Sequence, residues 1–232
     1  MAAEKQKFEK DYFIGGNGTV YTDYGKDAWI EVNYRIVLSL IKKFKRKGKL
    51  LEIGFGYGHF LRMAEKDFET YGIEISKFGC NMAKEVTPNS KIYCGDASEQ
   101  LDKLPKFEVI LGHNSLPNMK DPELCIQKCH THLENKGVFV MRVPNLSSIQ
   151  YLWSVLSGKK FYAYHDHTNV SIYTKKKWGR ILSKTGFKYK IYTYVPSSFL
   201  KKMLANSRLA IMPSFMHNLN LTQTIVYVCW KK

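Results

Sequence analysis

A short apolar run followed by three closely spaced glycines makes residues 50–60 the segment that most constrains the fold. The apolar run is too brief for a helix and is ended by Gly54, so it predicts a buried strand. The glycines are Gly54, Gly56 and Gly58. Without a Cβ they permit positive φ and let a ligand lie against bare backbone, and the helix predicted from Phe60 points its N-terminal N–H groups into the same space. The segment therefore predicts a cradle for a nucleotide-type ligand.

Two residues in this segment indicate which nucleotide fits. The dinucleotide fingerprint G-x-G-x-x-G requires glycine at position 59, where this chain has His59. Glu52 stands two residues before the first glycine, and its carboxylate would repel a pyrophosphate but attract an ammonium and a sulfonium. The pattern Glu-x-Gly-x-Gly-x-Gly resembles the first motif of class I S-adenosylmethionine-dependent methyltransferases.

This resemblance implies a fold and a domain organisation. The family fold is α/β, a Rossmann-like doubly wound sheet of seven mostly parallel strands whose last strand is antiparallel. At 232 residues the chain fits one such domain, spanning residues 1–232. The expected additions are an N-terminal lid and helix within residues 1–47 and cleft-side insertions at residues 146–173 and 196–220. For the second insertion, an extra helix packed on the sheet is an equal alternative.

Two acids follow at the ends of the next strands. Glu74 ends a strand predicted over residues 70–75, where the resemblance implies that its carboxylate accepts hydrogen bonds from both ribose hydroxyls. Asp96 follows a strand over residues 91–94 and matches the family's acidic motif, which implies a contact with the adenine amine. Asp96 is equally well placed to cap a helix that starts at Ala97.

An aromatic, glycine-rich segment over residues 11–24 resembles the N-terminal lid of small-molecule and sugar-modifying members of the family. Its rings are too apolar for a free loop, although covering the sheet edge would explain them as well. With this lid included, the residues predicted to bind the cofactor S-adenosylmethionine are Glu52, Gly54, Phe55, Gly56, Gly58, Glu74, Ile75, Asp96, Ala97, His113, Asn114 and Tyr24.

Histidines are the candidates for catalysis. Methyl transfer from a sulfonium depends mainly on positioning, and a base is needed only when the acceptor must lose a proton. Histidine suits that role because its pKa lies near neutral pH. The candidates are His113, after a strand over residues 107–111, and His165 and His167, in an aromatic loop of the first insertion. The family's customary Glu-His pair before Asp-Pro is replaced by Pro117-Asn118, which leaves the base open.

Charge and cysteine content bound the setting of the protein. The formal net charge of +16 raises nucleic acid, an acidic membrane surface or a phosphorylated substrate as partners, although scattered charge also fits ordinary solvated faces. Five cysteines form no even, closely spaced framework, and no N-terminal segment resembles a signal peptide, so a reducing cytoplasm is expected. Cys125 and Cys129 lack zinc spacing and are expected in the core, so no metal is predicted.

The sequence thus predicts a methyltransferase acting on a small molecule or sugar, with phosphate-bearing acceptors included. One alternative is an RNA or protein methyltransferase, which the charge favours. Against it, no Asn-Pro-Pro-Tyr-like tetrad follows the fourth strand and no separate RNA module is visible. A second alternative, prompted by the missing Glu-His pair, is a non-catalytic protein that binds S-adenosylmethionine. The oligomeric state is not predicted.

Overall fold

The computed structural model describes residues 8–16, 19, 21, 23–24, 28–193 and 222–232. The predicted insertion at residues 196–220 lies outside them. The described strands are β1 (Lys49–Ile53), β2 (Glu69–Glu74), β3 (Lys91–Cys94), β4 (Phe107–His113), β5 (Leu133–Pro144), β6 (Phe187–Tyr192) and β7 (Thr224–Lys231). The described α-helices are α1 (Lys10–Phe13), α2 (Ala28–Lys42), α3 (His59–Ala64), α4 (Lys77–Val86), α5 (Ala97–Gln100), α6 (Pro122–His132), α7 (Ile149–Leu156) and α8 (Lys175–Lys184).

The described strands form one sheet in the order β3-β2-β1-β4-β5-β7-β6. Strands β1 to β5 pair in parallel, and β7 runs antiparallel to both of its neighbours. The predicted seven-stranded, mostly parallel sheet with an antiparallel last strand is therefore confirmed. Because β1 pairs with both β2 and β4, the chain reverses its direction of winding there, and ligand crevices form at such a switch point.

Helices cover both faces of the sheet. Successive strand residues point to opposite faces, so Leu50 joins the apolar layer under α2 and α3, whereas Leu51 joins the layer under α6 and α8. Strands buried on both sides are nearly continuous in apolar residues, which explains the unbroken runs of β4 and β5. This two-layered core fixes the carboxyl ends of β1, β2 and β4 side by side.

Side chains cap the starts of α4 and α8. Ser76 accepts a hydrogen bond from Gly79 N, and Thr174 accepts one from Lys177 N. The turn-forming residues 135–137 (Asn-Lys-Gly) predict that α6 ends there and that β5 begins at residue 138, and this predicted boundary is wrong. Instead β5 begins at Leu133, since pairing with Phe107 of β4 extends it through the turn-like residues.

Two of the cysteines are paired, although their spacing in the sequence indicated no disulfide framework. Cys80 of α4 and Cys94 at the end of β3 form a disulfide, with Cα atoms 6.1 Å apart. Fourteen residues separate them in sequence, and the packing of α4 beside β3 brings them together, which cysteine spacing alone did not reveal. Cys125 and Cys129 are buried free thiols, as expected. In the ranges given above, no helix is both long and apolar enough to span a bilayer.

Candidate functional site

A cavity of about 410 Å³ opens at the carboxyl ends of β1, β2 and β4, where the sheet changes its winding direction. Its volume is in the range of small-molecule and cofactor pockets. Its wall includes most of the residues predicted to bind the cofactor, namely Gly54, Gly56, Glu74, Ile75, Asp96, Ala97, His113, Asn114 and Tyr24. Glu52, Phe55 and Gly58 are not part of the wall.

The glycine turn brings bare backbone to the cavity. Gly56 has φ of +60°, and a Cβ added there would lie 2.6 Å from the Tyr24 hydroxyl oxygen. A side chain at this position would therefore displace Tyr24 and strain the backbone. Gly58 serves packing, because its added Cβ would meet Thr87 Cγ2 at 2.7 Å. The glycine pattern thus has two functions, close approach at Gly56 and helix packing at Gly58.

Glu74 is fixed in the cavity wall by two backbone hydrogen bonds. Its carboxylate accepts from Gly56 N at 3.0 Å and from Ser76 N at 2.9 Å. Burial raises the pKa of Glu74, and the backbone hydrogen bonds partly oppose that shift by stabilising the ionised form. The carboxylate is therefore pre-oriented, and each oxygen keeps capacity for a further donor.

Asp96 stands across the wall from the glycine turn. Its carboxylate accepts a hydrogen bond from Ser98 N at 2.7 Å, so it caps α5 as the sequence predicted. Asp96 and Ala97 both line the cavity. A helix cap and a ligand contact are compatible, because one carboxylate has several acceptor sites.

Glu52 lies beneath the turn. Its side chain is fully buried, and among the described residues no hydrogen bond satisfies either carboxylate oxygen. Burial raises the pKa of Glu52 well above its ordinary value, and the negative charge of Glu74 adds to the shift. A buried carboxylate in this state costs free energy unless a cation or a donor reaches it.

The aromatic segment closes the cavity from the N-terminal side. Tyr12, Phe13, Tyr21 and Tyr24 line it. Phe13 stacks on Tyr57 of the glycine turn with ring centroids 4.9 Å apart. The Tyr12 hydroxyl donates a hydrogen bond to Asp166 at 3.3 Å, so the N-terminal segment and the first insertion meet at this cavity.

The carboxyl end of β4 forms a second part of the cavity wall, apart from the part that carries Glu74 and Asp96. His113 is buried against Tyr34, with ring centroids 4.8 Å apart. Burial, and then the nearby Arg142 cation, lower the pKa of His113 well below its ordinary value, so the imidazole is neutral at pH 7. Arg142 is the direct neighbour of His113 in the register of β4 and β5.

Several polar atoms on this wall have no hydrogen-bond partner within the described part of the chain. They are His113 Nε2, Asn114 Oδ1, Ser115 Oγ and Asn118 Oδ1. Asn114 holds a left-handed φ of +59°, which is uncommon outside glycine and is found at functional sites. Ser115 and Tyr34 were not predicted from the sequence, and Asn118 was noted only as a departure from the family pattern.

His165 and His167 are exposed and lie outside this cavity. Their neighbours Asp166 and Thr168 turn inward instead, and the Thr168 hydroxyl donates to the Asp166 carboxylate. Of the three candidate histidines, the structure brings only His113 to the cavity. His165 lines a separate groove beside α7.

Comparison with protein families gives a match over residues 27–190 to a family model described as a methyltransferase domain. Comparison with curated protein sequences gives no match. In the described ranges no group of three or more histidine, cysteine, aspartate or glutamate side chains is arranged to hold a metal ion.

Solved structures share the fold at low sequence identity. A SAM-dependent methyltransferase from Archaeoglobus fulgidus is 20% identical, with TM-score 0.64 and coverage of 87% of this chain and 94% of that chain. A Thermotoga maritima protein described as a SAM-dependent methyltransferase and possible histamine N-methyltransferase is 17% identical, with TM-score 0.62 and coverage of 88% and 93%. The plantazolicin methyltransferase BamL, solved with SAH and a triazolic desmethylPZN analogue, is 16% identical, with TM-score 0.63 and coverage of 90% and 87%.

Proposed function

From the premise that this chain belongs to the methyltransferase domain family and uses S-adenosylmethionine as its cofactor, we propose that it methylates a small-molecule or sugar acceptor bound beside His113. The observation that carries this proposal is a set of residues after β4 that line the same cavity as the glycine turn and Glu74 and that have buried polar atoms without a partner among the described residues. Phosphate-bearing acceptors are included, because the chain carries a net charge of +16.

The wall fits the cofactor in three respects. Glu74 would accept hydrogen bonds from the ribose hydroxyls, and Asp96 with Ala97 would hold the adenine. The bare backbone at Gly56 permits close approach of the ligand. Glu52, buried without a partner among the described residues, would favour the positive charges of the methionine part. When bound, S-adenosylmethionine supplies a methyl group activated by the sulfonium.

His113 would hold the proton that the acceptor loses. A neutral imidazole has a nitrogen lone pair available; His113 lines the cavity, and its Nε2 has no hydrogen-bond partner among the described residues. Asn114, Ser115 and Asn118 offer hydrogen bonds that would orient a polar acceptor. A lid formed by the aromatic segment would exclude water once the ligands are bound, which would strengthen these interactions and keep the acceptor aligned for in-line transfer.

The enclosed shape favours a small acceptor over a macromolecule. The cavity holds about 410 Å³, and aromatic side chains of the N-terminal segment lie along its edge. An RNA or protein acceptor is the second candidate, which the net charge of +16 favours. Such an acceptor would need the lid to open far enough to admit a single residue or base.

A methyl-release assay over sugars, phosphorylated sugars, phenols, amines, short peptides and RNA tests the proposal. We expect turnover with a small acceptor, together with calorimetric binding of S-adenosylmethionine and S-adenosylhomocysteine. Methylation restricted to RNA or intact protein would contradict the small-acceptor assignment. Failure to bind either cofactor form would contradict the cofactor site itself, so the two parts of the proposal are tested separately.

A further inference from the structure

The first insertion carries a helix whose apolar side chains face the solvent. In α7 the side chains of Ile149, Leu152, Trp153 and Leu156 are 56%, 56%, 68% and 74% exposed. Their spacing of three and four residues places them on one stripe of the helix. The inward position is Ser154, which is 8% exposed. A helix packed only for stability would turn its apolar stripe inward, so this arrangement indicates an interaction surface.

The surroundings of this stripe are basic. Residues 145–165 contain no aspartate or glutamate, whereas Lys159 and Lys160, separated from the end of α7 by two residues, are exposed. A shallow groove of about 570 Å³ runs beside the helix, and both lysines line it together with His165 and Tyr162. Apolar, aromatic and cationic groups thus lie next to one another on one surface.

We propose that α7, with Lys159 and Lys160, is a docking surface for an anionic phospholipid bilayer. A helix of this kind lies in the plane of the interface, with its apolar side chains inserted about 5–10 Å below the headgroups. Exposed tryptophan and tyrosine favour the same boundary. Each lysine close to an anionic leaflet adds attraction, and the net charge of +16 acts in the same direction.

The size of the stripe argues against a second copy of this chain as the occupant. Helix α7 has eight residues, and two turns of helix extend about 12 Å. A stable protein interface buries roughly 800 Å² on each partner, more than so short a stripe offers. Shallow insertion into lipid has no such requirement, because the bilayer supplies a continuous apolar phase.

The surface is connected to the catalytic cavity through one loop. Tyr162 and His165 of this loop line the groove, and Thr168 and Val170 line the cavity. The loop is anchored on the turn after β4, where Val170 N donates to Pro117 O at 2.9 Å. Docking of α7 would therefore bring the cavity close to the bilayer surface, although the proposal does not depend on the identity of the acceptor.

Vesicle co-sedimentation of the full chain tests the proposal. We expect binding to vesicles of mixed phosphatidylglycerol and phosphatidylcholine, and at least tenfold weaker binding to pure phosphatidylcholine. The double variant Trp153→Ser, Leu156→Ser should lose at least tenfold in partitioning to the anionic vesicles. Lys159→Gln with Lys160→Gln should lose severalfold and should reduce the salt dependence. Phe44→Ser is the matched control, because Phe44 is an exposed apolar residue outside α7, and it should bind as wild type.

If a second copy of the chain or the chain's own residues cover the stripe instead of a bilayer, the measurements differ. The substituted α7 side chains and both lysines are exposed, so thermal melting and cofactor binding should stay at wild-type levels in the α7 and lysine variants, which separates docking from misfolding. Wild-type protein that ignores anionic vesicles, or a Trp153/Leu156 variant that still binds them fully, would overturn the proposal. It would also be overturned by a wild-type dimer that the double variant dissociates. Acrylamide quenching of Trp153 fluorescence without vesicles is a further check. If Trp153 is already protected from acrylamide there, the chain's own residues cover the stripe and the proposal is overturned.

Discussion

The two walls of the cavity are built on different principles. On the wall formed by β1, β2 and β3, the carboxylates of Glu74 and Asp96 already accept hydrogen bonds from nearby backbone N–H groups. On the wall formed by the end of β4, polar atoms of His113, Asn114 and Ser115 have no partner in the described ranges. The first wall is pre-organised by its own chain, whereas the second depends on what binds there. This difference predicts that changes on the first wall alter donor affinity and those on the second alter turnover.

The largest effect is expected at His113. His113→Asn should lower kcat by about 10²–10⁴-fold, the usual contribution of a positioned acid–base group, while donor affinity stays within about threefold. Steady-state kinetics and calorimetry measure the two quantities. His165→Asn is the matched control, since His165 lies outside the cavity and should retain wild-type kcat. Equal losses in the two variants would contradict the assignment.

The pH dependence of turnover offers a second measure of His113. Burial and Arg142 lower the pKa of His113 below its ordinary value of 6.5, so the neutral form persists to lower pH than in a free histidine. The acid limb of kcat should therefore lie below pH 6.5, with no loss of activity between pH 7 and 8 from this group. An acid limb of kcat at or above pH 6.5 would contradict a buried, neutral His113.

A somewhat smaller effect is expected on the opposite wall. Glu74→Ala should weaken donor binding by about 10–100-fold, because hydrogen bonds to a charged group are worth about 1.5–3 kcal/mol. It should leave kcat at saturating donor within a fewfold. Glu69→Ala is the control on the same strand, because Glu69 is exposed and bonds to Lys91 outside the cavity. Unchanged donor affinity in Glu74→Ala would contradict the site.

The same contrast explains what could be predicted from the sequence. Glu74 and Asp96 both lie in the cavity wall, because a strand end and a following turn fix such residues locally, and their contacts with the cofactor stay a prediction. His165 and His167 were expected beside the cavity, but the loop turns Asp166 and Thr168 inward instead. The end of this loop is held by hydrogen bonds from Val170 N and Ser171 N to Pro117 O, far away in sequence, and no local pattern reports that contact. The Cys80–Cys94 disulfide was hidden for the same reason.

Glu52→Gln should raise the stability of the protein without cofactor and at the same time weaken donor binding. The folded-state pKa of Glu52 is raised, so the ionised side chain destabilises the fold as pH rises above its ordinary value of 4.5. The amide variant should therefore have the higher Tm at pH 7–8 without cofactor, by a few degrees, since about 1 kcal/mol shifts a domain of this size by roughly 2–4 °C. The gain should vanish near pH 4, and donor binding should weaken by about tenfold. Calorimetric scans across pH check both effects.

The smallest effect is expected where the lid meets the first insertion. Tyr12→Phe removes the hydroxyl that donates to Asp166 over a long 3.3 Å, and one such bond is worth about 0.5–1.5 kcal/mol. We expect donor dissociation to become about two- to tenfold faster in stopped-flow measurements, with little change in the association rate, because the bond forms only once the lid is closed. Tyr173→Phe is the matched control, since its hydroxyl bonds to Ser171 over the same 3.3 Å without linking the lid. If both variants release the donor at the wild-type rate, the two segments close the cavity by packing alone. Faster release in Tyr12→Phe only would show that the contact between the lid and the first insertion helps to hold a donor that binds on the wall of β1, β2 and β3.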